Sequence, residues 1–214
     1  MEPTRLKRGD CEILLLPVIR GLASEGELVE RHYREFMPDA VALSISPEEL
    51  KALREHDGKP LEPLCGTIEE NVYESGLGKF GSVERPPRCF TVAIDVSDEF
   101  NTKLVGVDLT EEEFTRSYVS LVSGWDFVRR ALGRSRLSSA RFDQSSAEAF
   151  VLDWDRKLRK VRGYDLLEQR REAQISKAIS DLAGRSRKLL AIVELERVRG
   201  VLERLESKTA DEVH

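Results

Sequence analysis

Two arginines at opposite ends of the chain, Arg20 and Arg197, sit in matching local settings. Residues 12–21 (EILLLPVIRG) and 188–200 (KLLAIVELERVRG) each pass from an aliphatic run into an arginine-bearing turn and then into a helical pattern. An aliphatic run without alternation reads as a strand covered on both faces, which a parallel or mixed sheet requires. Ligands of such sheets sit outside the carboxyl ends of the strands. If the first and last strands are neighbours, Arg20 and Arg197 face one crevice, and paired guanidinium groups there suit a carboxylate or a phosphate. The same arginines could instead pair with Glu194, Glu196 or Glu172 and hold the fold together. The sequence leaves both readings open.

Other chemistry-bearing residues fall near the same predicted edge. Ser44 ends the second apolar run but has no visible histidine base. Asp108 follows a later strand and reads as a site residue or a helix cap. Glu168-Gln169-Arg170-Arg171-Glu172 lies on a helix, where Glu–Arg pairs one turn apart are expected and where Arg171 and Glu172 could also turn toward the sheet. Gly76-Leu77-Gly78-Lys79-Phe80-Gly81 spells G-x-G-x-x-G, but a dinucleotide fingerprint must join a strand directly to a helix. Thr67 to Glu74 is a poor strand and Pro86-Pro87 delays the next helix, so a flexible loop or lid is expected there. The basic run from Arg156 to Arg162 reads as a solvated helix end. Cys11, Cys65 and Cys89 are far apart, and His32, His56 and His214 lack metal-ligand spacing. They predict reduced thiols, no metal site and no cofactor. Neither a Walker loop nor a nucleophile elbow is present.

These residues need a scaffold. Residues 24–36 carry helical spacing, Pro38-Asp39 ends that helix, and Ala40 to Ile45 forms a second strand, giving a βαβ unit. Ser46-Pro47-Glu48-Glu49 starts a helix running to about residue 55. Residues 58–87 are rich in glycine and proline and read as irregular. A helix over 87–100 and a strand over 103–107 follow, and Thr110 with Glu113 forms a capping box. Helices are then expected over 110–132, 143–161 and 164–183, before the last strand and a closing helix over 198–208. The fold class is therefore α/β, a central mixed or parallel sheet of βαβ-type units with flanking helices and a long helical insertion.

With 214 residues, 40% of them hydrophobic, the chain can bury a sizeable core. Its net charge of −5 provides no global basic field for nucleic acid or an anionic membrane. No stretch reaches the roughly 20 apolar residues of a bilayer span. A cytoplasmic protein is expected, with no nucleic-acid or membrane partner.

The order of these blocks resembles the TraB family, the pheromone-shutdown or PrgY-like proteins, within a wider group that includes Tiki-type proteases, ChaN-like haem-binding proteins and erythromycin esterases. Ile13 to Ile45 is similar to the family's opening strand, turn, helix, Pro-Asp and second strand. Ala93 to Asp108, Glu168 to Ile175, and Leu189 to Gly200 resemble its later blocks. The resemblance implies one α/β domain over 1–214 with 110–183 as the insertion, and Asp108, Arg171 and Gly200 keep its pattern. Where it places two histidines this chain has Arg20 and Arg197; Pro17 and Glu194 replace glycines, and Ser44 replaces a glutamate. Imidazoles and carboxylates can bind a metal that activates water, whereas guanidinium does neither. The implied protein is non-catalytic, binding or regulatory, holding a small anionic ligand through Arg20, Arg171 and Arg197. The alternatives are a peptide or ester hydrolase using Ser44, Asp108 or Glu172, and a structural subunit or homo-oligomer assembled through the insertion.

Overall fold

The computed structural model of the chain describes residues 2–56, 68–130 and 141–211. Five strands, β1 (Thr4–Arg8), β2 (Cys11–Val18), β3 (Ala40–Leu43), β4 (Lys103–Gly106) and β5 (Lys188–Glu194), form one sheet in the order β1-β2-β5-β3-β4. Only β1 runs antiparallel, so the sheet is mixed and mostly parallel. The similarity of the two chain ends becomes physical adjacency, because β2 and β5 pair in register from Glu12↔Lys188 to Val18↔Glu194.

The helices are α1 (Ser24–Phe36), α2 (Pro47–Glu55), α3 (Ile68–Leu77), α4 (Arg88–Glu99), α5 (Glu111–Leu121), α6 (Ala147–Leu158), α7 (Arg162–Ala183) and α8 (Leu195–Asp211), with a further helical stretch over 124–130. Successive strand residues point to opposite faces, and both faces of the sheet are covered. On one, Leu14, Leu16, Leu43 and Ile192 meet Val29 and Tyr33 of α1 and Phe90 of α4. On the other, Ile13, Leu15 and Val193 meet Ile175 and Ile179 of α7 and Val198 and Val201 of α8. The last helix of the insertion is thus a layer of the sandwich. A third cluster joins Ile19 and Leu22, just past β2, to Leu77 of α3, Phe150 and Trp154 of α6 and Leu195. It roofs the carboxyl edge of the sheet.

Local signals set several boundaries as the sequence suggested. Ser46 caps α2, its Oγ accepting from the Glu49 N–H at 3.0 Å, with Pro47 in the first turn. Thr110 and Glu113 close a complete capping box on α5.

Four readings need correction. Residues 68–77 are helix α3 rather than loop, which removes both the lid and the dinucleotide readings of the glycine motif. Gly76 serves close packing: a Cβ there would lie 2.3 Å from the Phe150 ring. The helix expected over 110–132 breaks after Leu121, where the start of α7 abuts it; a Cβ on Gly163 would lie 2.8 Å from the Leu121 carbonyl oxygen. Ser123 and Asp126 then cap the restart, each side chain accepting from the other's backbone N–H at 3.1 Å. The closing helix begins at Leu195, so Glu196 and Arg197 lie on its first turn and not in a loop. Finally, β1 was not read. Its Arg5, Lys7 and Arg8 give the sheet a charged edge that resists pairing with other chains.

Cys11 and Cys89 are buried free thiols, while Cys65 and His214 lie outside the described residues. No helix among the described residues is long and apolar enough to cross a membrane. The close approach at Gly76 gives a direct test. Gly76→Val should push the Phe150 ring out of the roof and cost about 1–3 kcal/mol of unfolding free energy, measured by urea denaturation with tryptophan fluorescence.

Candidate functional site

The carboxyl ends of the parallel strands share one edge, where Val18 stands beside Glu194, and Leu43 beside Ile192 and Gly106. Arg20 lies two residues past β2. Its Nη1 donates to Glu194 Oε1 at 3.2 Å and its Nη2 to Glu49 Oε1 of α2 at 2.5 Å. Arg197 approaches the same Glu194 carboxylate from the first turn of α8. It also donates from Nε to Glu168 Oε2 at 3.0 Å. The other oxygen of Glu168 accepts from Arg171 Nη1 at 3.0 Å, and Arg171 donates to Asp108 Oδ2 from Nε and Nη2 at 2.9 and 2.5 Å. The result is an unbroken alternation, Glu49–Arg20–Glu194–Arg197–Glu168–Arg171–Asp108, in which four carboxylates bracket three guanidinium groups.

The three arginines singled out from the sequence therefore belong to one cluster, and pairing with Glu194 is realised. Asp108 belongs to it too: its Oδ1 accepts from the Leu109 N–H while Oδ2 takes Arg171. Ser44 is fully buried, and its Oγ accepts from the Glu194 N–H at 3.0 Å, so it positions Glu194. Glu172 faces elsewhere, toward Arg159 at 2.7 Å and Arg204 at 3.0 Å. Its carboxylate occupies the space beside Gly200, where a Cβ would lie 2.1 Å from Oε2. Gly200 thus makes room for a buried ion cluster between α7 and α8. Sequence reasoning missed Glu49, which looks like an ordinary exposed helix carboxylate; it expected Glu–Arg pairs within the helix of Glu168, as Arg171 makes, but not the second hold from Arg197.

In front of the alternation lies a cavity of about 620 Å³. Its walls include Tyr73, Phe114, Tyr118, Phe127, Trp154 and Tyr164, and its polar floor includes Arg20, Glu168, Glu194, Glu196 and Arg197. A second cavity of about 650 Å³ shares only Arg20 and Tyr73 with it and opens toward Glu49 and Pro86. The first holds the converging charges and has the size and apolar walls of a small-molecule site.

The electrostatics divide its carboxyl groups. Burial pushes Glu168 upward, but Arg197 and Arg171 outweigh it and hold the group at about 2. Glu196 goes the other way, raised to about 7 by burial and by the neighbouring Asp155 and Glu168 charges. Its Oε2 is buried without a hydrogen-bond partner. Arg197 Nη1 and Glu194 Oε2 also lack hydrogen-bond geometry, although they form an ion pair with each other. Burial and the Arg171 charge lower the affinity of Arg197 for its proton.

Among the described residues no three His, Cys, Asp or Glu side chains group as metal ligands. The guanidinium groups standing where the TraB resemblance places imidazoles cannot ligate a metal. The residues present therefore do not fit such a centre. No protein-family model matches this chain, and no curated protein matches it either.

Two measurements follow from the geometry. Gly200→Ala should destabilise the fold by about 2–4 kcal/mol, and much of that cost should vanish in a Glu172→Ala background, giving a coupling of roughly 1–2 kcal/mol in a double-mutant cycle. Glu196 retains its proton in the fold where the unfolded chain, with its ordinary value of 4.5, has lost it. Stability should therefore fall as pH rises from about 4.5 through about 7 and stay lower above it. Glu196→Gln should flatten that segment and gain up to about 3 kcal/mol at pH 8, as read from urea midpoints at pH 5, 6, 7 and 8.

Proposed function

We propose that the chain is a non-catalytic, TraB-like binding module that holds a small ligand at the carboxyl edge of its sheet. Arg20 and Arg197 meet an anionic group of that ligand. The observation that carries the reading is the convergence of both guanidinium groups on Glu194 in the floor of an aromatic-walled cavity. A guanidinium keeps its proton at neutral pH, so it grips an acceptor and takes no proton from water.

Each arginine already faces carboxylates, so binding of an anion is an exchange. The pair with Glu49 is the replaceable one, because its partners are 39% and 32% exposed, against 8% and 3% for Arg197 and Glu194. Releasing an exposed pair costs about 0–1 kcal/mol. A ligand carboxylate in the first cavity can draw Arg20 away from Glu49 while the inner pairs stay intact.

A hydrolase is the second reading, and one observation favours it. Glu196 at about 7 and Glu168 at about 2 line the same cavity, a separation of the kind that lets one carboxyl group donate a proton while another stays ionised.

Thermal-shift titration with acetate, phosphate and a panel of apolar carboxylates tests binding. The apolar carboxylates should raise the melting temperature of the native chain, and Arg20→Gln should erase the shift. A parallel screen with peptide and ester substrates, with and without Zn²⁺ or Mn²⁺, should show no turnover. Stoichiometric metal binding with turnover that Glu196→Gln abolishes would replace this reading with the second.

A further inference from the structure

We propose that the ligand is a small zwitterion of the α-aminocarboxylate type with an apolar side chain, its carboxylate held by Arg20 and Arg197 and its ammonium by Glu196. This rests on the binding reading above and specifies its ligand.

Mixed charge is the first argument. Five arginines and five carboxyl groups line the cavity, so an ion of either sign meets groups of its own charge as well as partners. A monopole entering such a site loses its hydration and is repelled by part of the wall. A zwitterion presents both signs, and each of its ends finds a partner.

The second argument is the floor of the cavity. Glu196 Oε2 is buried with no hydrogen-bond partner, and buried polar atoms of folded proteins nearly always have one. Arg197, the next residue on the same helical turn, is held by Glu194 and Glu168 and lines the same floor. Its Nη1 is 4.0 Å from Glu196 Oε1. Ligand groups that meet both side chains must therefore be close neighbours, as the ammonium and carboxylate on a single carbon are. Tyr73 and Trp154, whose rings pack edge to face at 5.4 Å, offer an aromatic wall to the apolar side chain.

Binding should move a proton. Tyr73 of α3, Asp155 of α6, Glu168 and Arg171 of α7 and the adjacent Arg197 are the charged and titratable groups that act on Glu196. In their company it is largely protonated below neutral pH, and an ammonium beside it favours the carboxylate. The proton of Glu196 then passes to the buffer as the ligand enters, and no bond of the ligand changes.

Isothermal titration of the full chain at pH 6.5 tests this. The probes are L-phenylalanine and L-leucine, their N-acetyl derivatives, and the decarboxylated amines phenethylamine and isoamylamine. The free amino acids should bind at least tenfold more tightly than either set of derivatives. Their heats should differ between buffers of unequal ionisation enthalpy in the sense of proton release. Glu196→Gln should abolish that buffer dependence and the preference over the N-acetyl forms, while Arg20→Gln should remove the preference over the amines. N-acetyl derivatives binding as tightly as the free amino acids would overturn the zwitterion and leave the anion reading standing. Amines binding as tightly as the amino acids would overturn both, and so would silence from every probe.

Discussion

The site depends on one shared carboxylate. Glu194 is 2% exposed at the end of β5, its backbone N–H held by Ser44 and its side chain held by Arg20 and Arg197. Parallel pairing of β2 with β5 is what allows this, because register places Val18 beside Glu194 and so delivers Arg20 two residues later to the same place. An ionised carboxylate at that depth costs several kcal/mol to desolvate and persists only with charged partners. Two guanidinium groups on one carboxylate would in turn leave an excess of positive charge. Glu49, Glu168 and Asp108 from three other parts of the chain correct it. The alternation of charge is thus the condition under which each member can be buried at all.

That condition also ties the layers together. Arg197 on α8 and Arg171 on α7 hold opposite oxygens of Glu168, while Arg171 reaches Asp108 beyond β4. The ion chain therefore crosses the carboxyl edge from the loop after β2 to the segment after β4, passing over the strands that the apolar clusters cover from both faces. Apolar packing fixes the sandwich, and the ion chain fixes the relative placement of its loops and helix starts. Interactions of this type add specificity of geometry more than net stability. Glu172 with Arg159 and Arg204 makes a second, separate cluster deeper between the helices, which explains why Glu172 and Gly200 belong together and lie apart from the arginine row.

Much of the scaffold was legible in the sequence because its signals are local. Uninterrupted aliphatic runs marked β2, β3 and β5; Ser46 and the Thr110–Glu113 box marked helix starts; Pro38-Asp39 marked a helix end. The adjacency of Arg20 and Arg197 was legible only as a condition, since two apolar runs of one sheet need not be neighbours, and the pairing of β2 with β5 meets that condition. Helix α3 was not, because Gly76 and Gly78 argue locally against a helix whose reason for existing is the Phe150 ring packed on it from a distant part of the chain. The break after Leu121 was hidden for the same reason, being imposed by Gly163 of α7. In the site, the sequence located the guanidinium groups and offered Glu194 among their partners, but not the full alternation. Glu49 and Glu168 lie on exposed-looking helix turns, and only the folded arrangement aims them at the arginines.

The difference in exposure between the two ends of the ion chain separates scaffold from contact. Side-chain exposure is 39% at Arg20 and 32% at Glu49, against 8% at Arg197 in the middle and 19% and 4% at Arg171 and Asp108. Removing a member at the buried end strands an unpaired charge, at a cost of about 3–5 kcal/mol. At the Arg20 end the same loss is relieved by water. The Arg20 end is therefore the one open to exchange, and the inner pairs form a fixed template. Glu196 completes this asymmetry. Burial raises it toward neutrality while its neighbour Glu168 is held ionised by two arginines. The arginines make their close contacts with Glu168, Glu194 and Asp108, and Arg197 Nη1 stands off Glu196 Oε1 at 4.0 Å. The same economy of charge that makes the buried alternation stable is what leaves this acceptor waiting at the cavity floor.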